Sequence, residues 1–322
     1  MRPVALLFAT LGILFLFSFG VLVGCGPEKS TVEPTEVAKA VGLQINEASI
    51  RSHLAHLTGE TPVSLQSGKT TISERGSEKG RRAAAEYMRE SFEDTGVPAR
   101  ILPFDAYNLR GYNVEATLKG TEGDKHLWIT AHLDSVHNAG AEDDASGLVL
   151  LLLVAKALQR LDLRYTVHLV AFDLEEEGLL GSGEYVLTMV RPIQEREGKE
   201  AIIGDIQSDM VGYEENEFNA FVETCNQAGP IDEALTSASR AIDPLITLSE
   251  GCSQRLAGRS DHQHFRDSGL PAVALIDGAK YDSYPCYHKP CDTMAHINLT
   301  YLQSMIWMVA TASALLAMPQ TR

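Results

Sequence analysis

Basic residues are scarce: Lys and Arg number 27 against 43 Asp and Glu, a formal charge of −16 with histidine neutral. A surface of that sign repels a phosphate backbone, which excludes nucleic acid as a partner. The chain shows no internal repeat. Beyond residue 38 it has no compositional break that would divide it into domains. What it does have is 44 % hydrophobic residues in 322 positions, enough for a substantial core. That length accommodates one large α/β domain or two small ones.

The N-terminus stands apart. Arg2 precedes ALLFATLGILFLFSFGVLVG, and the run ends in Leu22-Val23-Gly24-Cys25. A positive start, an apolar stretch and small residues before a cut describe a secretory signal. LVGC resembles the bacterial lipobox, which implies that Cys25 is acylated and becomes the first residue of the mature chain. A plain transmembrane anchor is the competing reading, since the run is nearly long enough. GPEKSTVEPTEV then reads as a linker. The expectation is a lipoprotein signal peptide over 1–24, a lipid-anchored linker over 25–37 and one folded domain over 38–322. The protein would be exported and membrane-anchored, facing the periplasm or the cell exterior. Processing that is unaltered by globomycin would count against this.

Export permits disulfides. With Cys25 carrying lipid, four of the five cysteines remain. Cys286 and Cys291 lie close together in CYHKPCD, so a 286–291 bridge is expected, with 225–252 as the second pairing.

Residues 47–58 (EASIRSHLAHLT) and 78–95 (EKGRRAAAEYMRESFEDT) have helical spacing, the latter ending at Gly96 as a C-cap. Period-2 and apolar runs then predict strands at 99–104, 112–118 and 126–131. SGLVLLLLVAKALQR is so apolar that it must be a buried helix. YTVHLVAFD (165–173), AIIGDIQSDM (201–210) and PAVALID (271–277) read as buried strands. GSGEYVLTMV starts a helix, and TYLQSMIWMVATASALLAM closes the chain as another. Strands alternate with helices, so the expected fold is a three-layer α/β/α sandwich around a mixed, mostly parallel sheet.

Ligand sites in open α/β sheets lie beyond the carboxyl ends of strands. Four polar clusters fall there: His132 and Asp134 after HLWITA, Glu175-Glu176-Glu177 after YTVHLVAFD, Asp209 after AIIGDIQS, and His288 in the late loop KYDSYPCYHKPCDTM. Each has an ordinary explanation. Asp144 can cap the helix that begins beside it, the glutamates can form a solvated turn, and His132 can be a satisfied core histidine. His262 and His264, in SDHQHF, belong to packing or hydrogen bonding. The coincidence of His132, Asp143, a glutamate pair, Asp209 and His288 at one sheet edge points instead to metal.

The set AHLDSV, EDDASG, EEEGLLGS, SDM, SDHQHF and CYHKPCDT, in that order between about residues 75 and 300, resembles the M28 family of co-catalytic zinc peptidases, in particular its bacterial aminopeptidase branch. The resemblance implies two zinc ions. His132 and Asp209 would bind one, Glu176 and His288 the other, and Asp143 would bridge both. Asp134 would orient His132, Glu175 would be the general base and Tyr287 would stabilise the oxyanion. A hydroxide shared by the metals would attack the peptide carbonyl. The third glutamate, Glu177, leaves the register open by one, and His264 stands where the family usually has proline.

The chemistry is coherent. Three carboxylates and one hydroxide neutralise two Zn²⁺, with both histidines neutral, so the cluster suits a low-dielectric cleft. Imidazole and carboxylate favour zinc, and the two histidines argue against magnesium. If Glu175 and Glu176 lie in extended chain, they point opposite ways, one to substrate and one to metal. The expected function is an exported di-zinc aminopeptidase acting on peptides. The alternatives are a single-zinc glutaminyl cyclase, a carboxypeptidase relative, or a catalytically idle zinc- or peptide-binding lipoprotein.

Overall fold

A computed structural model describes residues 33–214, 217–253, 258–278 and 284–318. The expected signal peptide, Cys25 and the first part of the linker lie outside the described residues.

The N-terminal part of the described chain carries α1 (Pro34–Gly42), α2 (Glu47–Leu57), the small hairpin β1 (Val63–Leu65) and β2 (Gly68–Thr70), and α3 (Glu78–Asp94). β3 (Ala99–Ala106) and β4 (Leu109–Leu118) form a hairpin whose two loop residues, Tyr107 and Asn108, both have positive φ, as tight hairpin turns demand. β5 (His126–His132) leads through a turn at Ala141–Ala145 into α4 (Ser146–Leu158). β6 (Thr166–Phe172), α5 (Leu180–Tyr185), α6 (Arg191–Glu197), β7 (Ile202–Ser208) and β8 (Asn219–Glu223) follow. The chain then forms α7 (Ile231–Ala241), β9 (Thr247–Gly251), α8 (His262–Asp267), β10 (Ala272–Asp277) and α9 (Leu299–Ala317).

Eight strands form one mixed sheet in the order β3-β4-β6-β5-β7-β10-β8-β9. The central four, β6-β5-β7-β10, are parallel; β4 joins β6 and β8 joins β10 antiparallel, while β8 and β9 are parallel to each other. Along β5 the side chains alternate between the two faces. Leu127, Ile129 and Ala131 join a core with residues of α1, α2, α3, α4, α7 and α9, while Trp128 joins a second core with Tyr185 and Phe265. That alternation is the pleat acting on a strand covered on both faces, and it yields the three-layer α/β sandwich expected from the pattern. In α4, Leu148 to Leu153 are all buried. Each such side chain contributes roughly 1.5–3 kcal/mol of hydrophobic stabilisation, which fixes the helix that starts beside Asp144.

The structure departs from the sequence reading at the front. Residues 34–37, read as the end of the linker, open α1, with Pro34 in its first turn and Val37, Ala38 and Val41 buried. Proline is tolerated at that position because its missing N–H would have had no partner there. The Trp307 indole of α9 donates to Ala38 O at 2.6 Å and ties α1 down. β8, β9, α7 and α8 were also not anticipated.

Candidate metal centre

His132 is the last residue of β5, and Asp209 follows β7 directly. β5 and β7 are hydrogen-bonded parallel neighbours, so the two side chains emerge at the same sheet edge. Glu175 and Glu176 lie just beyond β6, on the other flank of β5. His288 arrives on the loop that follows β10. The edge formed by the carboxyl ends of β6, β5, β7 and β10 therefore gathers residues far apart in the chain.

His132 is buried. Its Nε2 lies 2.9 Å from Asp143 Oδ1 and 3.7 Å from Asp209 Oδ1. The other Asp143 oxygen lies 3.2 Å from His288 Nε2, which lies 3.1 Å from Glu176 Oε2. The ligand atoms of His132, Asp143 and Asp209 are all within 4.8 Å of one another, and so are those of Asp143, Glu176 and His288. The two triplets share Asp143. All five residues singled out as ligands are thus brought together.

The donor set fits zinc. Three carboxylates and two imidazoles supply only oxygen and nitrogen, and Glu176 Oε1 is buried with no hydrogen-bond partner among the described residues. The electrostatics ask for a cation. Burial alone would depress the His132 imidazole, yet Asp134, Asp143 and Asp209 raise its pKa well above the usual value. Asp143 and Glu176 push His288 up to about 10. Crowded carboxylates thus recruit protons onto nitrogens that a metal would occupy, and such sites release those protons when metal binds.

Asp134 sits 3.6 Å from His132 Nδ1. Its two oxygens also accept the backbone N–H groups of Glu175 (3.0 Å) and Glu176 (3.2 Å). One carboxylate therefore sets the position of a histidine and of the neighbouring glutamate turn. That turn corrects the expectation of extended chain: Leu174 has φ 60°, and Glu175 and Glu176 lie in a bend and a turn. A carboxylate oxygen of each glutamate and a ring nitrogen of His132 lie within 4.8 Å of one another, so the two glutamates do not face opposite ways. Glu177 is exposed. Burial raises the Glu175 pKa well above normal, and the carboxylates of Asp261, Asp209 and Asp134 add to this while His132 opposes it. Tyr287 stacks on His288 with ring centroids 3.9 Å apart. Burial and the Asp143, Asp209 and Glu176 carboxylates raise its pKa, so the phenol keeps its proton and can donate it in a hydrogen bond.

Asp144 does cap α4: its Oδ1 accepts Gly147 N at 2.9 Å. It also accepts His132 N and Met210 N, both at 3.2 Å, binding together the ends of β5 and β7. His262 bonds Glu223 and His264 bonds Leu179 O, both outside the cluster.

Four supporting residues were not singled out from the sequence. Asp292 accepts the backbone N–H groups of Glu142 and Asp143 (2.9 and 3.1 Å) and the Tyr284 hydroxyl (2.8 Å), which latches the His288 loop to the segment carrying Asp143. Ser260 donates to Asp209 at 2.7 Å. Asp261 is wholly buried; burial, with Asp134 and Asp209, pushes it up to about 7. Buried Arg75 braces the segment between His132 and Asp143. The repeated Ser-Asp of SDM and SDH was the available signal for Ser260 and Asp261, and the Asp after Cys291 was the signal for Asp292.

Both expected disulfides are present, Cys286–Cys291 and Cys225–Cys252. The first closes a loop of a few residues that contains Tyr287 and His288. So short a loop adds little to global stability, but it restrains two site residues. Reduction, or Cys286→Ser with Cys291→Ser, is therefore expected to lower kcat several-fold with little change in Tm. Simultaneous loss of activity and fold in parallel assays would oppose that.

Residues 113–313 match peptidase family M28. Leupeptin-inactivating enzyme 1 of Streptomyces exfoliatus is 28% identical over 275 residues, covering 79% of this chain and 58% of that protein. Aminopeptidase YwaD of Bacillus subtilis is 32% identical over 183 residues, covering 55% of this chain and 38% of that protein. The chain thus spans less than two thirds of the length of either. The solved structure of BSAP, a zinc aminopeptidase from Bacillus subtilis, shares the fold, with a TM-score of 0.73 at 16% identity over 85% of this chain and 96% of that one.

Proposed function

The chain belongs to peptidase family M28, and from that we propose that it is a two-zinc aminopeptidase that removes N-terminal residues from peptides and is held outside the cytoplasm by lipid on Cys25. The observation that carries the two-metal reading is Asp143, whose two oxygens face His132 on one side and His288 on the other.

His132, Asp143 and Asp209 would hold one ion, and Asp143, Glu176 and His288 the other. Bound there, zinc would supply a Lewis acid for the carbonyl and lower the pKa of an attacking water. The protein's own groups do the rest. Glu175, a carboxylate of raised basicity, takes the proton from the water as its oxygen bonds to the carbonyl carbon. Tyr287 donates a hydrogen bond to the oxygen on which negative charge develops. When the C–N bond breaks, Glu175 returns the proton to the leaving amine. Asp134 keeps both glutamates and His132 in register during this exchange.

Metal analysis of the purified protein with a screen of aminoacyl-nitroanilides tests the reading. Two zincs per chain and release from free N-termini support it. One zinc with cyclisation of N-terminal glutamine would favour a glutaminyl cyclase, and metal without turnover would favour a binding module.

A further inference from the structure

Arg75 lies in the loop between β2 and α3, ahead of the stretch that matches the family. It is fully buried. A buried guanidinium is normally paired with a carboxylate, but here its hydrogen bonds among the described residues all go to backbone carbonyls. Nε donates to Leu133 O (2.8 Å), Nη1 to Ala139 O (2.8 Å) and Leu57 O (3.0 Å), and Nη2 to Gly140 O (2.9 Å). The Arg75 backbone N–H donates to Ser135 Oγ (3.1 Å).

Three of those carbonyls belong to the stretch that joins His132 to Asp143. Leu133 follows one proposed ligand, and Gly140 precedes the other by three residues. A planar fork that grips both ends of a connecting loop fixes the distance between the residues at those ends. The loop is fitted to the fork: a Cβ at Gly140, where φ is +55°, would lie 2.8 Å from Arg75 Nη2 and 2.5 Å from Asp143 O. The charge is also placed where it is needed. Asp144, Asp292, Asp134 and Asp143 all act on the guanidinium through space, so one fixed cation offsets part of the negative charge around the ligands.

We propose that Arg75 is a positioning residue of the metal centre, clamping the 133–140 backbone so that His132 and Asp143 stand at the separation that two zinc ions require. The inference rests on the two-zinc reading above. It goes beyond that reading by assigning the spacing of the ligands to a side chain that touches neither metal nor substrate.

The test uses the full-length protein loaded with zinc, and compares wild type, Arg75→Lys and Leu235→Ala. Lysine keeps the charge but loses the fork. Leu235 is a buried core residue of α7, a helix that carries none of the carbonyls bonded to Arg75, and its truncation supplies a loss of Tm unrelated to the clamp. Zinc affinity is read by competition with a chromophoric chelator, alongside kcat and KM. Arg75→Lys is expected to weaken zinc binding by roughly 10–100-fold, the usual effect of losing a group that orients ligands. kcat should fall with it, and KM should stay within about threefold. Leu235→Ala should lose Tm but keep zinc affinity and kcat. Should Arg75→Lys not fold, Arg75→Gln, a neutral amide that can donate at one end of the loop but cannot span both, is expected to weaken zinc in the same direction. Wild-type zinc affinity in the clamp variant, or an equal loss in Leu235→Ala, overturns the inference alone. A wild type that holds fewer than two zincs overturns the two-zinc reading and this inference together.

Discussion

Glu175→Ala is expected to retain two zinc ions per chain and lose about 10²–10⁴ in kcat, the usual contribution of a positioned base. The geometry separates binding from proton transfer at adjacent residues. Glu176 Oε2 lies 3.1 Å from His288 Nε2 and belongs to the triplet around Asp143. Glu175 belongs to neither triplet that shares Asp143, although it reaches His132. Its surroundings suit a base, because burial and three neighbouring carboxylates raise its proton affinity. The sign matters: a carboxylate with a raised pKa accepts a proton more readily than one in water. The acid limb of the kcat profile should therefore vanish in Glu175→Ala and not merely shift. Glu176→Ala should behave differently, losing zinc and activity together, and Glu177→Ala should resemble wild type because Glu177 is exposed. Wild-type turnover in Glu175→Ala together with an inactive Glu177→Ala would mean that the register is displaced by one residue. KM is expected to change little in Glu175→Ala, since the group acts in the transition state.

The three glutamates show where sequence reading reaches and where it stops. The ligand positions were legible because parallel strands announce themselves as apolar runs and their carboxyl ends are where polar residues collect. HLWITAH, TVHLVAF and IIGDIQS appear as β5, β6 and β7, with His132, Glu176 and Asp209 at or just past their ends. The disposition of Glu175 and Glu176 was not legible. It depends on Leu174 taking a positive φ, which a leucine rarely does and no spacing encodes. α1 was hidden for another reason: Pro34 and the acidic residues around it read as a tether, and only packing against α9 makes the segment helical. β9 is a partly exposed edge strand with weak alternation, and local pattern says little there. The bracing groups were the least visible. Arg75 bonds to carbonyls about 60 positions away, and Asp292 bonds to N–H groups about 150 positions away. Backbone partners leave no trace in composition or periodicity.

Asp143→Ala is expected to remove both zinc ions at once, whereas His132→Ala and His288→Ala should each compromise one. The asymmetry follows from the shared carboxylate. Residues that merely orient a ligand cost roughly 10–100-fold in metal affinity when lost, so a ligand common to two ions should cost at least about that at each. Charge adds to the effect. Without Asp143 the cluster retains only two of its three proposed ligand carboxylates, too few to neutralise four positive charges even with a hydroxide, and each ion would carry uncompensated charge into a buried cleft. Asp143→Asn sharpens the experiment, since the amide keeps the shape and can still accept from one imidazole while the charge is gone. If geometry alone held the ions, Asn would bind nearly as well as Asp; if the bridging charge is essential, Asn should fail almost as completely as Ala. The fold should survive in both variants, because the neighbouring Asp144 still caps α4 and ties His132 N to Met210 N. Zinc per chain, measured after gel filtration in zinc-free buffer, is the readout. Retention of one full equivalent by Asp143→Ala would show that at least one triplet binds metal without the shared residue, and the two-metal arrangement would have to be redrawn around separate sites.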